Sequence, residues 1–102
     1  MDRYHGIESM TERSLDEVVA MLAPEAMREE GNCEDSVNRI AYDGFVVVRY
    51  GEARLDELSG AFEGFPKTEG ELMLTDELMG MACDYVAAHC EEYGFEWEEY
   101  RR

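Results

Sequence analysis

Three cysteines and two histidines are the side chains best suited to metal binding or nucleophilic chemistry: Cys33, Cys83, Cys90, His5 and His89. A structural zinc site takes four ligands, commonly in two closely spaced pairs. Here only His89 and Cys90 are neighbours, and adjacent residues on a helix point about 100° apart. We therefore predict no metal site. An odd number of cysteines without a pairing pattern also indicates no disulfide framework, so we expect Cys83 and Cys90 to be small buried side chains.

Catalysis finds little support in the sequence. A cysteine nucleophile needs a base within hydrogen-bond reach and surroundings that favour its thiolate. The chain has 25 Asp and Glu against 9 Lys and Arg, a net charge of −16, and this negative field disfavours a thiolate. The sequence contains neither a Gly-rich phosphate loop nor a calcium loop. We predict that the protein is not an enzyme and has no cofactor; the alternative is a small hydrolase that uses carboxylates or Cys83.

The negative charge is concentrated in the second half of the chain. Residues 1–54 carry 12 acids and 6 arginines, whereas residues 55–100 carry 13 acids and one base, Lys67. A surface of this sign repels the phosphates of nucleic acids and anionic lipids, so we predict no direct binding to nucleic acid or to a membrane. Its complement is a basic protein surface. Repulsion also opposes self-association through the acidic face, and we expect a monomer or a weak dimer.

The length of the chain predicts one domain, and its N-terminal sequence bears on the cell compartment. A chain of 102 residues is the size of a single domain, which we place over residues 1–102 with residues 1–13 as a loosely held arm. That arm lacks the apolar core of a signal peptide. No apolar stretch reaches the roughly 18 residues of a membrane-spanning helix. We therefore expect a cytoplasmic protein.

Helices are predicted after the arm. Ser14 and Glu17 have the spacing of a capping box, and an apolar stripe of helical period follows. Pro24 interrupts that stripe, because proline cannot donate the backbone hydrogen bond of a helix interior. The sequence thus predicts two short helices, over about 15–23 and 24–30, of which the second ends at a glycine.

A β-hairpin is predicted in the middle of the chain. The β-prone runs 37–42 and 45–50 flank Asp43 and Gly44, a pair typical of a type I′ turn. The hairpin covers about 37–50. Both faces of its second strand are apolar, which indicates a strand covered on at least one side.

The remaining elements complete an α+β fold. We predict a short helix near 52–62, a possible third strand over 71–74, and Thr75 as the cap of a C-terminal helix over about 76–93. The predicted fold class is α+β: N-terminal helices, a β-hairpin with a possible third strand, and the C-terminal helix packed on the sheet.

Acidic residues of the predicted last helix recur about every seven or eight positions, which is two helical turns and keeps them on one solvent side. The acidic tail that follows interleaves glutamates with aromatic residues, which are enriched at binding hot spots. The candidate partner-binding residues are Asp76, Glu77, Asp84, Glu91, Glu92, Glu96, Trp97, Glu98, Glu99 and Tyr100.

Small size, strong acidity and the absence of catalytic motifs give the chain a family resemblance. The segments that carry it are Asp76-Glu77, Glu91-Glu92-Tyr93 and Glu96-Trp97-Glu98-Glu99-Tyr100. With them the chain resembles the small inhibitors encoded by phages and mobile elements, the anti-CRISPR and antirestriction proteins of the DNA-mimic type. The resemblance implies an inhibitor that acts in the host cytoplasm and binds a nuclease or CRISPR effector complex where target DNA enters. The alternatives are an antitoxin or immunity protein that neutralises a basic nuclease, or an acidity that serves only solubility or high-salt tolerance.

Overall fold

The computed structural model describes residues 11–58 and 66–97, although not the side chains at positions 57 and 58. Throughout these two ranges the regular structure is helical, and neither range contains a strand. The predicted α+β fold is therefore wrong, because the described chain has no sheet on which a C-terminal helix could pack. Most of the predicted arm lies outside the described residues.

The first helix, α1, spans Leu15–Glu30 and begins as predicted. The hydroxyl of Ser14 accepts a hydrogen bond from the backbone N–H of Glu17, and the Glu17 carboxylate accepts one from the backbone N–H of Ser14. The helix ends at Gly31, whose φ of 68° lies in the left-handed region that glycine adopts without a steric penalty. Both ends of α1 were thus predictable from local chemistry.

Pro24 lies inside α1, so the predicted break into two helices is wrong. The buried face of the helix continues past the proline, from Val18 through Ala23 to Met27, and none of these three side chains is exposed. A proline in a helix interior costs about 3 kcal/mol. Burial of several apolar side chains at about 1.5–3 kcal/mol each outweighs that cost.

The second helix, α2, spans Cys33–Tyr50 and replaces the predicted hairpin over 37–50. The side chain of Asn32 caps it by accepting a hydrogen bond from the backbone N–H of Asp35, at 2.8 Å. Residues 45–48 are all buried because α2 is packed by other elements on several sides. A helix that is buried all round carries the same continuous apolar run as a buried strand, and that is why the prediction failed.

Gly44 serves helix packing rather than a turn. A Cβ atom at this position would lie 3.2 Å from Cδ2 of Leu78 and 3.6 Å from Cγ1 of Val18. The missing side chain therefore lets α1 and the last long helix approach α2 closely. The Asp-Gly pair that predicted a type I′ turn lies instead inside α2, where Leu78 and Val18 pack against Gly44.

Two short helical segments follow α2. A 3-10 turn spans Glu52–Arg54, and helix α3 spans Leu55–Leu58. They fall within the helix predicted near 52–62, whose last four positions lie outside the described residues.

The last long helix, α4, spans Glu69–His89 and begins earlier than predicted. Its cap is Thr68, which forms a capping box with Glu71. Thr75 is not a cap: it is buried, and its hydroxyl donates to the carbonyl oxygen of Glu71 at 2.8 Å. The third strand predicted over 71–74 is wrong, since these residues belong to the helix.

A 3-10 turn over Cys90–Tyr93 continues α4, and Gly94 ends it with a φ of 87°. Helix α2 contacts both α1 and α4, and these two helices also contact each other. The described helices therefore share one core. Its largest fully buried apolar side chains are Phe45, Met27, Ile40, Leu74, Leu78, Val18, Val37, Val46, Val47, Val48 and Val86. Within the described ranges, no helix combines the length and the apolar character needed to cross a bilayer.

Candidate functional site

The predicted partner-binding residues fall on three consecutive segments. Those that are described comprise three on α4, two on the 3-10 turn and two on the irregular segment after it: Asp76, Glu77, Asp84, Glu91, Glu92, Glu96 and Trp97. All of these are exposed except Glu77, which is half-buried. The other three predicted residues, Glu98, Glu99 and Tyr100, lie outside the described residues.

Helix α4 separates its acids from its buried face. The buried face has a four-residue spacing, with Leu78, Ala82 and Val86 each fully inaccessible to solvent. Glu77 and Asp84 are seven positions apart, so they lie about 20° apart around the helix, on its solvent side. We use the term acidic surface for α4, the 3-10 turn and residues 94–97 together. These residues, 69–97, contain eight acids and no lysine or arginine.

Two arginines of the first half of the chain form ion pairs between segments outside the acidic surface. Arg39 of α2 donates to Glu29 at 2.6 Å and to Glu30 at 3.1 Å, both at the end of α1. Its Nε also lies 3.5 Å from a carboxylate oxygen of Asp43 on α2. These contacts raise the pKa of Arg39, with the Glu29 hydrogen bond as the largest cause, and lock the guanidinium in its charged form. A further pair, Arg13 and Glu52, ties the chain before α1 to the 3-10 turn after α2.

One arginine of α2 forms an ion pair with α4. The Nε of Arg49 lies 3.5 Å from Oε2 of Glu71, in the first turn of α4. Burial by itself raises the pKa of Glu71, but the backbone N–H groups of Lys67 and Thr68 and the charge of Arg49 outweigh burial, so the net pKa is lowered. Glu71 is therefore a buried, anchoring carboxylate within the acidic surface.

The end of the acidic surface is fastened to the core. The thiol of Cys33 donates to the carbonyl oxygen of Glu96 at 3.2 Å. Phe95 is half-buried and packs against the core, and its N–H donates to the carbonyl oxygen of Cys90. Trp97, by contrast, is 37% exposed. The two aromatics thus divide their roles: Phe95 closes the core, and Trp97 stands at the surface beside Glu96.

Sequence reasoning missed a groove between α1 and α4. It has a volume of about 390 Å³. Its lining comes from both helices and combines two carboxylates, small apolar side chains and two rings: Asp16, Val19, Ala20, Met81, Asp84, Tyr85, Ala88 and His89. The Asp16 and Asp84 side chains are exposed. Only the helix pairing reveals this groove, because its walls are 61 or more residues apart in sequence.

Two of the side chains that line this groove form a stacked ring pair. The rings of Tyr85 and His89 have centroids 4.3 Å apart and planes tilted by 31°. Nδ1 of His89 lies 2.6 Å from Oε2 of Glu92, which fixes the imidazole orientation. Burial raises the pKa of Tyr85, and the proximity of Tyr93 and Glu92 adds to the shift.

The cysteines occupy structural positions. Cys33 and Cys90 are buried as small side chains, whereas Cys83 is only half-buried, and none of the three forms a disulfide. Within residues 11–58 and 66–97, no group of three or more His, Cys, Asp or Glu side chains is placed to hold a metal ion. His89 lies at the edge of the core, with its ring on Tyr85.

Comparison with protein families, curated proteins and solved structures finds no match to this chain. Function is therefore inferred from the charge and geometry of the chain itself. The arrangement offers a helix-supported row of carboxylates, an exposed tryptophan at its end and a small groove beside it.

Proposed function

We propose that the protein is an acidic inhibitor that binds the basic nucleic-acid-binding surface of a nuclease or CRISPR effector complex, mimics DNA there and blocks binding of target DNA. The observation that carries the proposal is the acidic surface, residues 69–97, with eight acids and no lysine or arginine on a helical frame. The proposed place of action is the cytoplasm, where such enzymes meet their DNA.

The packed helices that carry the acids matter because a DNA mimic must hold its charges in place. Duplex DNA carries one negative charge per about 1.7 Å of helix axis. Helix α4 is capped at its start by Thr68 and Glu71 and packs against α2 and α1. A packed helix keeps its carboxylates at fixed spacing, so little ordering entropy is lost when a basic groove binds them.

Electrostatic attraction governs the association rate of the two proteins, and a local aromatic contact stabilises the complex. Complementary fields accelerate association to about 10⁸ M⁻¹s⁻¹ at low salt. Trp97, exposed next to Glu96, supplies an aromatic side chain of the type that is enriched at hot spots. The expected complex therefore associates quickly, weakens with salt and depends on Trp97 for its lifetime.

The test is capture of a partner from the host with this protein as bait, at low salt and at about 0.5 M salt, where the Debye length falls well below 10 Å. We expect a nuclease or guide-RNA complex that high salt releases and that duplex DNA displaces. A small toxic enzyme with the same behaviour would favour the antitoxin alternative. An empty capture, or a partner indifferent to salt and DNA, would overturn the proposal and leave the acidity as a solubility or halophile trait.

Matched variants separate the surface from the total charge. The surface variant combines Asp84→Asn, Glu91→Gln and Glu96→Gln. The control combines Asp56→Asn, Glu12→Gln and Glu25→Gln, which are exposed positions outside the acidic surface with the same loss of charge. We expect the surface variant to bind the captured partner about tenfold more weakly, since each exposed ion pair is worth about 0.2–1 kcal/mol, and the control to bind almost normally. Equal weakening by both would show that only net charge matters.

A further inference from the structure

The groove between α1 and α4 has the chemistry of a site for one cationic side chain. We infer that it is an anchor site for an arginine of the basic partner. This inference rests on the proposed function, because that function supplies a partner rich in arginine. It adds one defined contact to an electrostatic attraction that is otherwise spread over the whole acidic surface.

Four of the described lining residues of the groove are apolar. Val19 and Ala20 form the α1 wall, and Met81 and Ala88 form the α4 wall. An arginine keeps its three-carbon stem on apolar surface while its charged end reaches polar groups. The volume of about 390 Å³ lies at the lower end of the range of roughly 300–1,000 Å³ for ligand pockets. That size suits one side chain rather than a docked helix.

The charged groups of the groove are complementary to a guanidinium. Asp16 on α1 and Asp84 on α4 both line it and are exposed, and no lysine or arginine is among the lining residues that the structure describes. A guanidinium has five N–H donors in a planar fork, which matches carboxylates on two sides better than the point charge of a lysine does. Carboxylates on two helices therefore favour arginine over lysine.

The ring pair adds a second element of recognition. Tyr85 lines the groove and stacks on His89, whose Nδ1 is held by Glu92. An arginine over a tyrosine ring gains about 0.5–1 kcal/mol at an exposed site. In this arrangement the carboxylates bind the charged end of the arginine and the apolar walls contact its stem. The ring of Tyr85 contacts the face of the guanidinium.

Binding is tested directly with a short glycine-flanked peptide that contains a single arginine, followed through amide chemical shifts of the whole protein. The same peptide with citrulline, which keeps the shape of arginine and lacks its charge, is the ligand control. A lysine peptide tests whether the planar guanidinium, rather than positive charge alone, is recognised. We expect saturable shifts centred on Asp16, Ala20, Asp84 and Ala88, with arginine bound about tenfold more tightly than citrulline. Equal binding of citrulline, or shifts spread over all acidic helices, would overturn the inference.

Two adjacent alanines of α4 give a matched pair of protein variants. Ala87 and Ala88 are both exposed, but only Ala88 lines the groove. Ala88→Leu fills the groove without any change of charge, whereas Ala87→Leu places the same side chain outside it. We expect Ala88→Leu to abolish binding of the arginine peptide and Ala87→Leu to leave it unchanged, with equal helical circular dichroism in both. Equal binding by the two variants would exclude the groove as the site.

The partner-level experiment separates this inference from the proposed function. If DNA-displaced capture of a partner persists with Ala88→Leu at wild-type strength, the proposed function stands and the groove is not its anchor. If no DNA-displaced partner exists but the arginine peptide still binds in the groove, the proposed function fails and the groove remains an arginine site. Weaker capture with Ala88→Leu than with Ala87→Leu supports both.

Discussion

The thiol of Cys33 donates a hydrogen bond to the carbonyl oxygen of Glu96 at 3.2 Å, across 63 positions of sequence. It joins the first residue of α2 to the end of the acidic surface. Cys33 is only 5% exposed, so the tail is held by a core residue rather than by a surface contact. The position of Trp97, one residue further on, depends on that anchor.

Cys33→Ala is therefore expected to loosen the tail. The substitution removes the donor and some buried surface, at about 1 kcal/mol. Trp97 is the only tryptophan of the chain, so its fluorescence anisotropy and acrylamide quenching report on this segment alone. We expect lower anisotropy and stronger quenching with unchanged helical circular dichroism. Cys83→Ala, at a half-buried position on α4, is the control and should leave Trp97 unchanged. Identical Trp97 signals in the two variants would contradict the anchor.

Gly44 of α2 packs closely against Leu78 of α4, and a larger side chain there should strain the core. Gly44→Leu is expected to lower the free energy of unfolding by about 1–3 kcal/mol, the usual effect of overpacking. Leu78 supplies the nearest atoms, so Leu78→Ala in the same chain should relieve part of the strain. Denaturant titration of both single variants and the double variant measures the coupling, expected at about 1 kcal/mol. Strict additivity would show that the two residues do not meet.

Both ends of α1 were predictable and the central helix was not. Ser14, Glu17 and Gly31 act through local backbone chemistry, which a sequence displays directly. The apolar residues of α2 form a nearly continuous run, which fits a buried strand as well as a buried helix. Only contacts with α1 and α4 decide between the two. The Asp-Gly pair strengthened the wrong choice, because glycine is required both in a type I′ turn and at a close helix crossing.

The candidate site, too, was only partly predictable from the sequence. Exposure of Asp84, Glu91 and Glu92 followed from charge and spacing, since carboxylates are rarely buried without partners. The groove beside Asp84 did not follow, because Asp16 comes from a helix far away in sequence. The true start of α4 was also missed: Thr68 and Glu71 have capping-box spacing, but they precede residues that were assigned to a strand.

Ser36 carries an unsatisfied polar atom in the core. Its hydroxyl is fully buried and has no hydrogen-bond partner among the described residues. Ser36→Ala should therefore raise the free energy of unfolding by about 1 kcal/mol, because it removes the desolvation penalty and improves helix propensity. Thr75→Val is the contrast, since the Thr75 hydroxyl donates to Glu71 at 2.8 Å and its loss should not stabilise. Thermal unfolding of both variants tests this; a lower midpoint for Ser36→Ala would indicate that the hydroxyl has a partner.

Self-repulsion of the net charge of −16 should make stability depend on salt. Salt screens repulsion between exposed acids more than it screens contacts in the core. Raising NaCl from about 0.01 M to about 0.5 M should therefore raise the unfolding midpoint by about 4–8 °C, the shift that 1 kcal/mol produces in a small domain. The surface variant of Asp84, Glu91 and Glu96 should show a smaller salt effect. No dependence on salt would mean that the acids are too far apart to repel each other appreciably.

Glu71 gives the fold a pH dependence of defined sign. Burial opposes ionisation, but the N–H groups of Lys67 and Thr68 and the charge of Arg49 lower its pKa in the folded state below the ordinary glutamate value of 4.5. A lowered folded-state pKa means that the ionised carboxylate stabilises the fold above the unfolded-state value. This contribution is lost as pH falls through the folded-state value.

Glu71→Gln isolates that contribution. The amide oxygen can still accept from the cap, but the charge that Arg49 and the first turn of α4 stabilise is gone. At pH 7 we expect the variant to be less stable than the wild type by about 1 kcal/mol. Denaturant titrations from neutral to strongly acidic pH should show this difference shrinking below the ordinary glutamate pKa and vanishing once the folded-state carboxyl is protonated. The repulsion among the exposed acids changes nearly equally in both proteins, so it cancels in the difference. A gap that stays constant or widens toward low pH would mean that the charge of Glu71 does not stabilise the start of α4.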